Sequence, residues 1–312
     1  MPKAPRRPPQ LRGRIFRGSV AVSRGLLTRN DLRSSAWRPL FRDVYADAQL
    51  RVTHRHRCTA AARWLLPSGA AIAGRSAAVL LGVTGVPADE PIDVLVHHRR
   101  LVGGGQPAAG RRRGPAVGLR VHHGDLAPED VIDQAGVPVT SAERTCWDLA
   151  RWCDVVEAVV VIDALLAGRV TEIPTLRDYA LARAGQRGWR ALLRAVDLAD
   201  PGAGSPQESR TRVRLVLAGL PRPETQWVVT ADGRFVARLD LAWPQFKVAV
   251  EYDGLWHNDA DQFHRDRRRL NQLLGGEWIV LHLTARRLRE DFPGFLAEVR
   301  AALHRRGHRS RA

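Results

Sequence analysis

The stretch "VAVEYDGLWH", Val248 to His257, ends an apolar run in two acids and then adds a tryptophan and a histidine. Its first six residues alternate as in a β-strand, so Val248 and Val250 face one way while Glu251 and Asp253 face the other. The pattern predicts a buried strand that carries carboxylates at its end.

The residues before this strand predict a helix and a hairpin. Ser205 and Pro206 are suited to begin a helix over "SPQESRTRVRLVLAGL" with Glu208 in its first turn, and the expected apolar stripe is Val213, Val216, Leu217 and Leu220. The segment "QWVVTADGRFVARLDLAW" predicts two strands joined at Asp232-Gly233, with Asp240 late in the second. Two strands therefore end in carboxylate.

Carboxylates at the ends of paired strands predict a cation site. Asp240 and Glu251 are the expected ligands, with the carbonyl of Tyr252 as a third. A hard divalent cation compensates for two neighbouring acids, and Mg²⁺ fits best because it prefers oxygen ligands and retains several waters. Such an ion would make a coordinated water more acidic and neutralise charge on a phosphodiester in reaction. The plainer interpretation is that both acids are solvated turn residues.

Two further residues are candidates for acid–base chemistry. His257 follows Glu251 by six residues, and its ordinary pKa near 6.5 suits proton transfer at neutral pH. Asp266 lies at the edge of the apolar stripe in "DADQFHRDRRRLNQLL" and could orient that imidazole. Alternatively, Asp266 pairs with Arg265 or Arg269 and the histidine has no role.

This order of residues resembles the very-short-patch-repair endonucleases and their relatives, a branch of the PD-(D/E)XK nuclease superfamily. The resemblance covers about 100 residues and rests on "VAVEYDGLWH" and "HRDRRRLNQLLGGEWIVLHLT". It implies that Asp240 and Glu251 bind the metal, that His257 and Asp266 act near the scissile phosphate, and that Glu208 holds solvent around the metal. Trp256 corresponds to an aromatic residue that presses on the DNA stack. The superfamily's usual lysine would stand at 253, where this chain has Asp253.

The basic helix after His257 would supply phosphate contacts near the cut. Its candidate residues are Arg265, Arg267, Arg268 and Arg269. The alternative is a solvated helix face.

The first fifty residues are basic, with eleven Lys/Arg against three acids. They predict a short helix near Thr28–Arg33 and then a strand-like "LFRDVYA", together a small winged helix with a two-strand wing. Its candidate phosphate contacts are Arg29, Arg33, Arg38 and Arg42. A basic solvated helix that packs only on its neighbour is the alternative.

Residues 51–200 predict a middle α/β domain. "CTAAARWLLPSG" and "GAAIAGRSAAVLLGV" are helix-like, "PIDVLVHHRR" and "VGLRVHHGD" are strand-like, and Thr140 with Glu143 is spaced as a capping box. Adjacent histidines on a strand point to opposite faces, which disfavours a metal site there. The Pro/Gly/Ser-rich residues 198–209 predict a boundary. The expected domains are 1–50, 51–200 and 201–312.

These first two segments resemble AbiEi-type antitoxins, in which a winged helix precedes an α/β domain. The matching pieces are "LLTRNDLRS", "LFRDVYAD", "GRSAAVLLGV" and "VPVTSAERTCWDLAR". Asp43 replaces the glycine that usually precedes "VY" in that pattern. The full expectation is a multidomain α/β protein with an N-terminal winged helix, a middle α/β domain and a C-terminal restriction-endonuclease-like α/β/α domain.

Composition points to a polyanionic partner. The formal net charge is +17, and 45% of the residues are hydrophobic, which suffices for packed cores. Apolar runs of eighteen residues are absent, so we expect a soluble cytoplasmic protein without membrane contact.

Two functions follow from the sequence. The leading one is a DNA-binding, Mg²⁺-dependent endonuclease. The alternative is a non-catalytic transcriptional regulator or antitoxin whose nuclease fold clamps DNA or forms a homodimer, with a toxin as a possible partner.

Overall fold

The computed structural model describes residues 5–97, 118–231, 233–253 and 277–308. The chain divides into two compact units, Met1–Leu149 and Ala150–Ala312. The division falls near Leu149, and residues 198–209 lie inside the second unit. Helices and three β-sheets make up the described residues, so the fold is mixed α/β as expected. Among these residues no helix is long and apolar enough to cross a membrane.

The first unit begins with a small antiparallel sheet of order β1-β3-β2. Its elements are β1 (Ile15–Arg17), α1 (Gly18–Ser23), β2 (Trp37–Phe41) and β3 (Val44–Asp47). Phe16 and Trp37 pack edge to face in its core, with ring centroids 5.1 Å apart.

Two expectations for this region need correction. The helix expected at Thr28–Arg33 is a 3-10 turn, Asp31–Arg33, since the N–H groups of Arg33 and Ser34 bond to the carbonyls three residues back. "LFRDVYA" is a hairpin rather than one strand, since Asp43 adopts a left-handed φ of 62° and turns the chain between β2 and β3.

A five-stranded sheet of order β6-β5-β4-β8-β7 forms the rest of the first unit. Its strands are β4 (Ala70–Ile72), β5 (Ile92–His97), β6 (Leu119–Gly124), β7 (Val131–Asp133) and β8 (Pro138–Thr140). The helices are α2 (His54–Trp64), α3 (Gly74–Leu80) and, ending just inside the second unit, α4 (Ala142–Trp152).

The strand predictions for β5 and β6 are confirmed, and two helix predictions are corrected. The alanine-rich residues Ala70–Ile72 form a buried strand, because pairing with β5 and β8 outweighs their helix propensity. Helix α4 is capped by Ser141, which accepts from the N–H of Arg144, whereas Thr140 bonds Thr145 at 2.7 Å between hydroxyls.

The second unit opens with four helices. They are α5 (Val155–Ala167), α6 (Ile173–Leu181), α7 (Trp189–Leu198) and α8 (Pro206–Leu217). Helix α8 starts as predicted, with the Ser205 hydroxyl accepting from the N–H of Glu208 at 3.2 Å. Its expected apolar stripe is wrong in part: Val213 and Leu215 are buried, whereas Leu217 is 42% exposed.

A four-stranded sheet of order β12-β11-β10-β9 completes this unit. Its strands are β9 (Glu224–Ala231), β10 (Arg234–Trp243), β11 (Val248–Asp253) and β12 (Ile279–Thr284), followed by α9 (Ala285–Glu290) and α10 (Phe292–Arg305). The predicted hairpin is confirmed, since Ala231 pairs with Arg234. Leu215, Trp243, Val250 and Phe295 belong to one core that packs α8 and α10 against the sheet. Because successive side chains of a strand point to opposite faces of the sheet, the acids of β10 and β11 lie on the face away from that core.

Candidate functional site

Asp240 and Glu251 lie on the same side of the four-stranded sheet. Strands β10 and β11 are antiparallel, with Leu241 opposite Val250 and Ala242 opposite Ala249. The paired stretch ends at Leu241 and Val250, so Asp240 and Glu251 each lie one residue beyond the last pair. Directly opposed residues of antiparallel strands share a face, with Cβ atoms about 5 Å apart. By alternation, Asp240 and Glu251 lie on the face that carries Ala242 and Ala249, at the end of the paired stretch.

Asp240 is half-buried and held by two donors. The main-chain N–H of Tyr252 donates to its Oδ2 at 2.9 Å, and Nε2 of Gln226 lies 3.4 Å from its Oδ1. The N–H and C=O groups of one strand residue point towards the same neighbour. The carbonyl of Tyr252 consequently faces β10, on the side where sequence reasoning expects it to help bind a cation.

Glu208 reaches this group from the first turn of α8. It is only 8% exposed, and its Oε2 accepts from the N–H of Gly204 at 2.9 Å and from Gln226 at 2.8 Å. Burial raises the pKa of Glu208, and the nearby charge of Asp240 raises it further. The helix acid expected from the sequence is thus coupled electrostatically to the strand acid.

Gln226 is a residue that sequence reasoning missed. Its side-chain amide lies between Glu208 and Asp240, and its φ of 51° is left-handed although it lies within β9. A register shift between Phe235 and Ala237 moves the pairing of β9 by one residue. Counting back from the Asp232-Gly233 turn would place Thr225 opposite Asp240, and only the shift brings Gln226 there. Such a bulge leaves no clear signal in the sequence.

His282 is the second residue that sequence reasoning missed. It pairs with Glu251 in the parallel register of β11 and β12, and its Nδ1 lies 3.2 Å from Oδ1 of Asp253. The alternation of "IVLHLT" could have placed it on a face but not beside an acid of another strand. Asp253, which stands where the nuclease superfamily has lysine, thus contacts an imidazole.

The remaining C-terminal candidates lie outside the described residues. They are Trp256, His257, Arg265, Asp266, Arg267, Arg268 and Arg269. Within the described ranges, no group of three or more His, Cys, Asp or Glu residues is arranged to hold a metal ion. What the structure does bring together is Glu208, Gln226 and Asp240, with Glu251 on the same face of the sheet.

Comparison with known proteins relates the chain to two mycobacterial sequences. It is 30% identical over 196 residues to "Uncharacterized protein MT2308" of Mycobacterium tuberculosis strain CDC 1551 and, equally, to "Uncharacterized protein Rv2248" of strain H37Rv. The matched region is 62% of this chain and 71% of each relative. The chain belongs to the same family as these proteins. No family model and no solved structure matches it.

The names of these relatives state no activity, so a function has to be inferred from the chemistry of the site. In the first unit, the four arginines that the sequence assigns to phosphate contact are all exposed: Arg29, Arg33, Arg38 and Arg42. Arg38 lies on β2 and donates to the carbonyl of Leu50 at 3.0 Å, and Arg42 precedes the turn residue Asp43. Their exposure fits both phosphate contact and a solvated surface.

Proposed function

We propose that this protein is a DNA-binding, Mg²⁺-dependent endonuclease whose C-terminal sheet hydrolyses phosphodiester bonds. The observation that carries the proposal is the link from Glu208 through Gln226 to Asp240, on the face of the sheet to which Glu251 also points. Glu208 at a helix N-terminus and Asp240 on a strand approach each other there through the Gln226 amide. The site fits a nuclease of the PD-(D/E)XK type, which the sequence resembles.

The donor set suits a hard divalent cation. Glu208 and Asp240 receive hydrogen bonds from neutral groups, which include two main-chain N–H groups, the Gln226 amide and the Ser205 hydroxyl. Neutral donors orient the carboxylates without cancelling their charge, and the pKa of Glu208 is raised first by its burial and then by the charge of Asp240. Oxygen ligands of this type are those that Mg²⁺ prefers.

Each residue then has a distinct role. Asp240 and Glu251 bind the ion, which when present supplies charge neutralisation and a more acidic water. Tyr252 fixes the rotamer of Asp240 through its N–H, and Gln226 holds Glu208 at the distance where it can orient solvent. His257 and Asp266 are proposed to move the proton, and Trp256 with Arg265, Arg267, Arg268 and Arg269 to contact DNA. The net charge of +17 supports a nucleic-acid substrate.

Nicking of supercoiled plasmid tests the proposal. The full-length protein with Mg²⁺ or Mn²⁺ is compared with Asp240→Asn and Glu251→Gln, which preserve shape while removing charge. Each variant should lose about 100-fold or more in rate, the equivalent of a few kcal/mol of charge stabilisation. Asp197→Asn, an exposed acid on α7, is the matched control and should cleave normally. Intact plasmid with the unaltered protein, or equal cleavage by Asp240→Asn, would refute the nuclease.

One observation favours a second function, that of a non-catalytic regulator or antitoxin. Asp253 occupies the position of the superfamily lysine and contacts His282, so that position carries no primary amine. The N-terminal hairpin with its exposed arginines would then provide DNA binding, and the nuclease-like sheet would clamp DNA or dimerise. A gel shift on the protein's own upstream region tests this, and binding should weaken as salt rises.

A further inference from the structure

A cleft of about 660 Å³ lies within the first unit, and its lining residues all belong to that unit. It is bounded by residues 10–26 on one side and by α2, from His56 to Trp64, on the other. Its volume is in the range of about 300–1,000 Å³ that is usual for ligand sites. The cleft is not explained by the proposed nuclease.

The rim of the cleft is cationic. Arg14, Arg17, Arg24 and Arg63 line it and are all exposed, and His56 joins them. Among the described residues that line the cleft there is no aspartate or glutamate. Arg17 has a carboxylate partner, Asp43 at 3.1 Å, which lies outside the lining. The other three guanidinium groups, those of Arg14, Arg24 and Arg63, place positive charge around one concavity, and an anionic ligand would offset their mutual repulsion.

The floor of the cleft is apolar and includes one aromatic ring. Ala21, Leu26, Leu50 and Ala60 contribute to it, and Trp64 stands at its side, half-buried. The guanidinium of Arg63 lies 5.3 Å from the centre of the Trp64 ring. An indole attracts a cation to its face and is also a surface on which a planar base can stack.

His56 adds a defined donor. Its Nδ1 accepts from the main-chain N–H of Thr53 at 3.3 Å, so the neutral ring carries its proton on Nε2. The cleft therefore combines guanidinium groups that can bind phosphate, one N–H donor and an aromatic surface for stacking.

We infer that this cleft binds a nucleotide of a single-stranded nucleic acid, with its base against Trp64 and the flanking phosphates on Arg14, Arg24 and Arg63. A strand suits the cleft better than a free mononucleotide, because several guanidinium groups match successive phosphates. A duplex suits it less, since paired bases are not available to enter a concave site. The inference does not depend on the proposed nuclease.

Fluorescence polarisation with a fluorescein-labelled twelve-residue oligothymidylate tests the inference on the full chain. Arg63→Glu should weaken binding about tenfold through the lost phosphate contact. Trp64→Ala should weaken it about tenfold through the lost stacking. The matched controls are Arg190→Glu and Trp189→Ala, because Arg190 lies 5.1 Å from the Trp189 ring in the same arrangement outside the cleft. Both controls should bind as the unaltered protein does.

Three results would overturn the inference. In the first, the cleft variants bind the oligonucleotide with the same affinity as their controls. In the second, thymidine monophosphate displaces the oligonucleotide at an equal concentration of nucleotide, which would indicate a site for free nucleotides. Displacement by polyglutamate but not by unlabelled oligothymidylate would indicate an acidic protein partner. If Trp64→Ala does not fold, Arg24→Glu provides a second variant at an exposed position of the cleft. The two sites are distinguished by Asp240→Asn, which should lose plasmid nicking but still bind the oligonucleotide.

Discussion

Tyr252 and Asp240 are joined across two strands by a hydrogen bond in which the main-chain N–H of Tyr252 donates to Oδ2 of Asp240 at 2.9 Å. The bond commits one carboxylate oxygen of Asp240 to the neighbouring strand and leaves Oδ1 on the side of Gln226. A carboxylate fixed in this way loses little rotamer entropy when it binds an ion. The sheet itself thus prepares the proposed ligand.

Gln226 should set the affinity of the site without touching the substrate. Gln226→Gly keeps the left-handed backbone available but removes the amide that links Glu208 and Asp240. We expect a loss of about 10–100-fold in apparent Mg²⁺ affinity, as for other residues that orient ligands. The measurement is plasmid nicking against Mg²⁺ concentration. Gln226→Asn, which tolerates the same backbone but reaches less far, should behave similarly; an unchanged Mg²⁺ dependence in both would contradict the role.

Glu208 should lower stability at neutral pH. Its pKa is raised in the folded protein, so the folded state binds more protons than the unfolded state above the ordinary value near 4.5. The free energy of unfolding therefore falls as the pH rises above about 4.5. Glu208→Gln should be more stable than the unaltered protein in urea at pH 7.5, and the difference should shrink at pH 4. A variant that is less stable at both pH values would argue against repulsion in the site.

Arg212 and Asp163 form a buried ion pair whose disruption should be costly. Their side chains are 0% and 2% exposed, and Nη2 of Arg212 donates to Oδ2 of Asp163 at 2.6 Å. Arg212→Met leaves a buried carboxylate without its partner and should cost about 3–5 kcal/mol in urea unfolding. The exposed pair Arg177–Asp197 is the control, and Arg177→Met should cost about 1 kcal/mol or less. The double variant Arg212→Met/Asp163→Leu should recover much of the loss, and no recovery would contradict the ion-pair explanation.

His54 should make the protein sensitive to mild acid. Burial lowers its pKa, and its Nε2 lies 2.9 Å from the Ser76 hydroxyl in the core of the first unit. The unfolded state then binds more protons below about pH 6.5, so the free energy of unfolding falls as pH drops through that value. His54→Gln should flatten this dependence between pH 7 and pH 5, measured by urea unfolding. An unchanged slope in His54→Gln would contradict the role of this buried ring.

Asp43 should be replaceable by glycine at lower cost than by alanine. Its carboxylate accepts from the N–H and hydroxyl of Ser19 at 2.7 and 2.6 Å, and its φ is 62°. Both variants lose the hydrogen bonds at the start of α1, which costs about 1 kcal/mol. Alanine adds left-handed strain of about 1–2 kcal/mol, whereas glycine adds none. Thermal unfolding compares the two, and equal melting temperatures would contradict the strain.

Local signals in the sequence predicted the parts of the fold that local chemistry determines. Ser205 before Pro206 marked the start of α8, and Asp232-Gly233 marked the β9–β10 turn, because caps and tight turns depend on adjacent residues. The placement of Glu208, Asp240 and Glu251 followed from those elements.

The rest depended on tertiary pairing. Ala70–Ile72 is a strand because two neighbours bury it, and Leu215 rather than Leu217 faces the core because α8 packs against both the sheet and α5. Gln226 reached the site through a bulge, and His282 through a parallel neighbour separated by thirty residues of sequence. None of these contacts could be deduced from spacing alone.

The attachment of α8 to α5 limits how this protein can be divided. Arg210 and Arg212 of α8 bind Glu157 and Asp163 of α5, on the far side of the proline- and glycine-rich residues 198–209. A truncation that starts at residue 201 would remove α5 and expose the buried guanidinium of Arg212 to water. It would also destabilise α8, the helix that carries Glu208. Proteolysis or recombination within residues 198–209 should therefore yield an unstable C-terminal fragment. The smallest stable fragment that carries Glu208, Asp240 and Glu251 should begin before α5.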